Sequence, residues 1–172
     1  ADLISVVQFD GSSRTTVQLQ AISQAPQNLG YNGGGTAYSP AAASARQILA
    51  RTPSSHAPVV VFMSDGLVHD SDASNAAEIF KQMNHETLTK TGKELELHVI
   101  AFGAGLDQRQ LVTIKDSSRR GIIHTSVDTR QLSNVFVDIA KSSQNVAKVL
   151  EAEVGRRVTE AMSDKLSLEY LG

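Results

Sequence analysis

Two short segments of the sequence carry the residue types best suited to binding chemistry. The glycines Gly33-Gly34-Gly35 lead directly to Thr36, and the apolar run from Val59 to Met63 leads to Ser64-Asp65-Gly66. A hydroxyl and a carboxylate with no basic residue beside them offer the oxygen donors that hard divalent cations bind in proteins. We therefore predict that Thr36 and Asp65 belong to a metal site, with Mg²⁺, Mn²⁺ or Ca²⁺ as the ion.

Other site chemistries find little support in the sequence. No Lys-Ser or Lys-Thr follows the glycines at 33–35, as a phosphate-binding loop would require. Ser64 lacks the Gly-x-Ser-x-Gly frame of a nucleophile elbow. The histidines are dispersed, without the helical spacing of a zinc pair, at His56, His69, His85, His98 and His124. We therefore expect no catalytic residue, no nucleotide cofactor and no enzymatic activity.

The composition is that of a folded protein without a dominant charge. Apolar residues make up 41% and charged residues 20% of the 172 positions, and the formal net charge is −2. This balance gives no general attraction for nucleic acid, and no apolar run approaches the roughly 20 residues of a membrane-spanning helix. Cysteine and glycosylation sequons are absent, which favours an intracellular location, cytoplasmic or nuclear, and leaves secretion open.

Apolar runs alternate with helical patterns along the first 142 residues. We predict strands at Leu3–Phe9, Thr15–Leu19, Val59–Met63, Leu95–Phe102 and Gly121–Thr125. We predict helices at Ala41–Leu49, Ser74–Asn84, from Asp107 or Gln108 to Ile114, and at Gln131–Lys141. Strands and helices that alternate at this spacing indicate a mostly parallel sheet with helices on both faces. The turn at Asp10-Gly11 makes the first two strands a hairpin, so one edge strand should be antiparallel. The predicted fold class is α/β, a Rossmann-like doubly wound sheet.

The pattern changes after Ser142. Apolar residues then recur every four positions among charged ones, at Val146, Leu150, Val154, Val158 and Met162. This spacing predicts an amphipathic helix, which either packs on its own domain or connects to a following domain or partner. We therefore divide the chain into a domain at 1–142 and a helical extension at 143–172. Because Ala1 is preceded by neither an initiator Met nor a signal-peptide pattern, we expect a piece of a longer protein.

Four segments together resemble the von Willebrand factor type A domain and its metal-ion-dependent adhesion site. Asp2 to Phe9 looks like the second strand of that family, and Gly34-Gly35-Thr36 is similar to its Gly-Gly-Thr, whose threonine contacts the metal. Phe62 to Gly66 matches the fourth-strand motif, whose aspartate usually reaches the metal through water. Val99 to Gly103 resembles the fifth strand. The resemblance keeps the order of the family and implies its fold for 1–142.

One element of that family's site has no counterpart in this sequence. In the family, an Asp-x-Ser-x-Ser strand supplies three of the five usual metal-site residues, between the strands that correspond to Leu3–Phe9 and Val59–Met63. The segment Asp70 to Ser74 contains similar residues, but it follows the wrong strand and has them in the wrong register. We therefore expect weak or absent metal binding until an upstream segment or another chain completes the sheet. The alternative is that the strands Leu3–Phe9 and Val59–Met63 pair directly with each other, which would give a smaller sheet without the metal site.

The resemblance implies a binding function rather than a reaction. The first hypothesis is a non-catalytic protein-binding module that holds an acidic side chain of a protein partner through the divalent cation. The second is a metal-free structural scaffold with a vestigial site. The third is an accessory domain of a larger ATPase-type or kinase-type enzyme, with the chemistry on a segment outside this chain.

Overall fold

Five strands and four α-helices alternate along the part of the chain that the structure describes. The computed structural model describes residues 2–26, 28–30, 34–65, 67–103 and 107–142. In chain order the elements are β1 (Leu3–Phe9), β2 (Ser13–Ala21), a 3₁₀ turn (Ile22–Gln24), α1 (Tyr38–Arg51), β3 (Val59–Ser64), α2 (Asp70–Thr91), β4 (Glu96–Phe102), α3 (Arg109–Lys115), β5 (Gly121–Ser126) and α4 (Thr129–Ser142).

The strands form two separate sheets. β1 and β2 make an antiparallel hairpin, and β3, β4 and β5 make a parallel sheet in that order. In the parallel sheet Val61 of β3 lies opposite His98 of β4, which lies opposite Ile122 of β5. All seven residues of β4 are buried, as expected for the central strand of a parallel sheet that is covered on both faces.

The predicted α/β class, with a parallel sheet flanked by helices, is confirmed. The five strands do not, however, form the one continuous sheet that we predicted. The hairpin is antiparallel as expected, but it is a sheet of its own rather than the edge of the parallel sheet. Direct pairing of β1 with β3 is wrong within the described residues, since the two strands belong to different sheets. The two strands are in contact through side chains, since the rings of Phe9 and Phe62 stack with centroids 5.4 Å apart.

The core lies on both faces of the parallel sheet. On one face, Leu97, Val99 and Ala101 of β4 pack with residues of α1, α2 and α3. On the other face, Ile100 and Phe102 pack with residues of α4. Alternate residues of one strand thus serve two cores, because successive side chains of a strand point to opposite faces.

Three of the four α-helices extend further than their sequence patterns predict, whereas α3 begins and ends slightly later than predicted. α2 begins at Asp70 rather than Ser74 and ends at Thr91 rather than Asn84, where Gly92 takes a left-handed conformation with φ of 70°. Glycine tolerates this conformation at a helix end. The predicted amphipathic helix after Ser142 lies outside the described residues. Among the described helices, none combines the length and apolarity needed to cross a bilayer.

Candidate functional site

The two predicted metal ligands lie at the ends of two elements. Thr36 is half-buried and lies two residues before the start of α1, and Asp65 is exposed and directly follows the last residue of β3. Gly33 and Gly66, which also belong to the predicted motifs, lie outside the described residues. The approach of the Thr36 hydroxyl to the Asp65 carboxylate, close enough to share one hydrated cation, stays a prediction.

A buried tyrosine joins the two segments that carry these residues. The Tyr38 hydroxyl donates a hydrogen bond to Ser64 Oγ at 3.2 Å, and both residues are buried. The Tyr38 ring also packs edge-on against Phe62, with centroids 5.0 Å apart. Because Tyr38 is the first residue of α1 and Ser64 the last of β3, this contact fixes the start of the helix against the carboxyl end of the strand.

The N-terminus of α1 is capped by a carboxylate from another helix. Asp72 Oδ2 accepts a hydrogen bond from the Tyr38 amide at 2.6 Å, and its Oδ1 accepts one from the Ser39 amide at 3.2 Å. The Ser39 hydroxyl donates in return to the Asp72 carbonyl at 3.1 Å. Free amides at a helix N-terminus need such acceptors, and Ala37, the residue before the helix, supplies no side-chain cap.

The pKa of Asp72 reflects this capping role. Burial alone would raise the pKa of the carboxyl, but hydrogen bonds from Ser39 and Tyr38, together with nearby His69, hold it below its ordinary value. The carboxylate form is favoured because it accepts hydrogen bonds from the helix start. Asp72 therefore stays ionised and bound to α1 at neutral pH.

The glycine-rich segment packs against the end of β1. A Cβ atom placed on Gly34 would lie 3.2 Å from the Asp10 carboxyl, so the backbone of Gly34 approaches that side chain closely. The Ala37 amide donates to the Asp10 carbonyl at 2.8 Å. Asp10 Oδ1 in turn accepts from the amide and hydroxyl of Ser12, which lower the pKa of Asp10. The segment that holds Thr36 is thereby fixed to β1.

The first turn of α2 is held on two sides. Asp72 binds α1, as described, and Asp70 Oδ1 accepts a hydrogen bond from Gln110 Nε2 of α3 at 2.9 Å. The other amide atom, Gln110 Oε1, is buried and has no hydrogen-bond partner within the part of the chain described. The first turn of α2 therefore connects α1 with α3.

Negative charge is concentrated where β3 ends. Burial raises the pKa of the Tyr38 hydroxyl, its hydrogen bond with Ser64 opposes that change, and the charges of Asp65 and Asp72 raise the pKa further. The field of Asp65 therefore reaches the buried end of the tyrosine. The charges of Asp65 and Asp72 thus act on the same hydroxyl, at the carboxyl end of β3.

The residues at this end of β3 suit a hydrated divalent cation in part. Thr36 and Asp65 offer one hydroxyl and one carboxylate, the hard oxygen donors that Mg²⁺ accepts alongside several retained waters. No group of three or more histidine, aspartate or glutamate side chains that would hold a metal occurs within the described ranges. The donor types fit, and two donors leave most of the coordination to water or to another segment.

A second polar cluster was missed by the sequence analysis. His98 Nδ1 lies 2.9 Å from His124 Nε2, and His98 Nε2 lies 2.8 Å from Glu96 Oε1. Arg120 donates to the other oxygen of Glu96 at 3.0 Å. The two histidines are 26 positions apart in the chain. Only the register of β4 with β5 brings them together, so spacing along the sequence gives no signal for the pair.

The comparisons with protein families and with curated proteins found no relative of this chain. The chain matches no model of a protein family and none of the curated proteins. The von Willebrand A resemblance therefore depends on the four sequence segments and on their order along the chain.

Proposed function

We propose that this chain is a non-catalytic protein-binding module of the von Willebrand A type, which binds an acidic side chain of a protein partner through a divalent cation. The observation that carries the proposal is the hydrogen bond between Tyr38 and Ser64. It joins the segment of the predicted hydroxyl ligand to the strand that ends at the predicted carboxylate. Oxygen donors and negative charge at this place favour a cation rather than an anion.

Thr36 and Asp65 are the residues of this chain that would hold the ion. Mg²⁺ accepts six oxygen ligands and keeps several waters, so two protein ligands bind it only weakly. The bound ion supplies a coordination position at which a partner's carboxylate replaces a water. The chain's own part is to hold the two donors, through the contacts of Tyr38, Asp72 and Asp10.

We also propose that a further extended segment completes the sheet between β1 and β3. Support comes from their membership of two different sheets and from the Phe9 and Phe62 rings that meet between them. Unpaired strand edges readily accept another strand.

A metal-free scaffold is the second candidate function, because strand addition at these edges needs no cation. For both candidate functions, the lack of cysteine favours an intracellular location, in the cytoplasm or the nucleus.

Paramagnetic Mn²⁺ is the direct probe of the site. We expect Mn²⁺ to broaden the NMR signals of amides around Thr36 and Asp65, with weak affinity in the 172-residue chain. Asp65→Asn and Thr36→Val should each reduce this broadening, and Thr36→Ser should retain it because it keeps the hydroxyl. Glu78→Gln is the matched control, since it removes an exposed carboxylate from the outer surface of α2.

The result decides between the two candidate functions. Broadening that centres on Asp65 and disappears in Asp65→Asn supports the metal-dependent module. Broadening elsewhere, or equal broadening in Asp65→Asn and Glu78→Gln, overturns it and leaves the scaffold. Tight Mn²⁺ binding by the chain alone would contradict the expectation that another segment supplies most of the ligands.

A further inference from the structure

The second polar cluster lies on the α4 face of the parallel sheet, away from the candidate metal site. Glu96 and His98 are alternate residues of β4 and are both buried, with His98 at 0% exposure. His98 joins Glu96 on one side and His124 of β5 on the other. Arg120, directly before β5, binds the remaining oxygen of Glu96. The result is one chain of hydrogen bonds that crosses from β4 to β5.

The number of protons determines whether this chain of contacts can exist. Two ring nitrogens 2.9 Å apart need one hydrogen between them, because one must donate and the other accept. Glu96, as a carboxylate, accepts from His98 Nε2, so in the neutral rings His124 Nε2 donates to His98 Nδ1. These tautomers follow from the hydrogen-bond network. When both rings are protonated, two N–H groups face each other and the contact is lost.

The surroundings of His124, and its burial first of all, oppose a proton on the ring. Burial lowers the pKa of His124, the neighbouring His98 lowers it further, and Asp138 of α4 acts in the opposite direction. A histidine with a depressed pKa stabilises the fold above the ordinary histidine value, about 6.5. That contribution is lost as pH falls through the lower value of the folded state.

The cluster joins an edge strand of the parallel sheet, β5, to the central strand β4. β5 pairs with β4 and with no other described strand, so the contact between His98 and His124 is part of its attachment. Val61 of β3 and Ile122 of β5 lie opposite buried His98, one on each side, and their side chains are 38% and 44% exposed. Loss of the contact therefore frees the edge strand β5 more easily than the central strand β4.

We propose that Glu96, His98 and His124 form an acid-sensitive latch that holds β5 to β4 and opens when both imidazole rings are protonated. Among the described residues, Glu96 on β4 and Asp138 on α4 act on the rings, and Arg120 before β5 acts on Glu96. β3 contributes the apolar Val61 at the same level. The latch is independent of Thr36 and Asp65, so it holds whether or not the proposed metal site does.

Hydrogen exchange of backbone amides tests the latch in the full 172-residue chain. After correction for intrinsic exchange rates, we expect the opening equilibrium of β5 amides to rise several-fold more than that of α2 amides between pH 7.5 and 5.5. His124→Gln keeps an N–H donor and removes the titrating group, so it should lose this difference. His85→Gln, which removes an exposed histidine of α2, should retain it.

Two outcomes overturn the proposal. One is an equal change of β5 and α2 amides with pH in the unsubstituted chain. The other is a His124→Gln variant whose β5 amides respond to pH as the parent's do. Should that variant fail to fold, NMR titration of the unsubstituted chain decides: coupled titration of His98 and His124 supports the latch, and two independent, ordinary titrations overturn it.

Discussion

Asp72 shows how one side chain can position a site without belonging to it. Its carboxylate binds the first two amides of α1, which is the helix that the Thr36 segment enters. The first residue of that helix, Tyr38, then reaches Ser64 at the end of β3. The relation between the two predicted ligands therefore depends on a third carboxylate, which lies in a segment that the sequence analysis set aside.

At the residue scale we predict that Asp72→Ala lowers the free energy of unfolding by about 1–2 kcal/mol, the usual cost of a lost helix cap. Asp72→Asn keeps an acceptor oxygen and should cost less. Because hydrogen bonds hold the pKa of Asp72 below its ordinary value of 3.8, its contribution is present above that value and is lost as pH falls through the folded-state pKa. Denaturant unfolding at several pH values measures both effects.

Asp116→Ala is the control for this prediction, since Asp116 is an exposed carboxylate at the end of α3. Substitution there should change stability little. If Asp72→Ala were no more destabilising than Asp116→Ala, the cap would not hold α1. A similar fall in stability below pH 4 in Asp72→Asn and in the parent would likewise contradict the pKa assignment.

At the scale of elements, the sequence predicts which segments are strands and helices better than where they end. The apolar run at Val59–Met63 predicts β3 to within one residue of its observed bounds. α2 was predicted too short, although acidic residues in its first turn and Gly92 beyond its last are ordinary signals of helix ends. The contact of His98 with His124 could not be predicted, because register depends on how whole strands align.

The packing of α3 against β5 gives a prediction at the same scale. A Cβ atom on Gly121 would lie 1.9 Å from the Lys115 carbonyl oxygen at the end of α3, and a backbone atom cannot easily move away. We predict that Gly121→Ala lowers the free energy of unfolding by roughly 1–3 kcal/mol, the range for overpacking. Gly11→Ala is the control, because nothing lies within 4 Å of its added Cβ.

Thermal or denaturant unfolding of the two variants provides the comparison. Equal stability of Gly121→Ala and Gly11→Ala would show that β5 and α3 are not as close as described. Gly121 and His124 both belong to β5. The effect of Gly121→Ala therefore reports how firmly β5 is attached, through a contact with α3 that does not depend on pH.

At the scale of the whole molecule, the local patterns of the sequence predict the class of fold but not the division into two sheets. Alternating strands and helices are sufficient to predict a parallel sheet, and the order β3, β4, β5 follows the order of the chain. The separation of β1 from β3 lies where the von Willebrand A resemblance led us to expect a missing strand, and it is the resemblance rather than the local patterns that pointed to it.

The separation of β1 from β3 leads to a prediction about the chain in solution. β1 and β3 pair on one side each, with β2 and β4, and their other edges have no strand among the described residues. Unpaired backbone groups at an apolar edge favour pairing with another chain. We therefore predict concentration-dependent self-association of the 172-residue chain, measured by sedimentation, with increased hydrogen-exchange protection of β1 and β3 in the associated form.

Two matched substitutions locate the associating edge. Val61 and Ile122 lie on either side of His98, on the same face and with similar exposure, but Val61 belongs to β3 and Ile122 to β5. A lysine on an edge strand opposes strand addition, so Val61→Lys should weaken self-association and Ile122→Lys should not. Equal effects of both would place the contact elsewhere. A monomer at all concentrations that unfolds cooperatively, with the free edges of β1 and β3 unprotected, would contradict the need for a further segment.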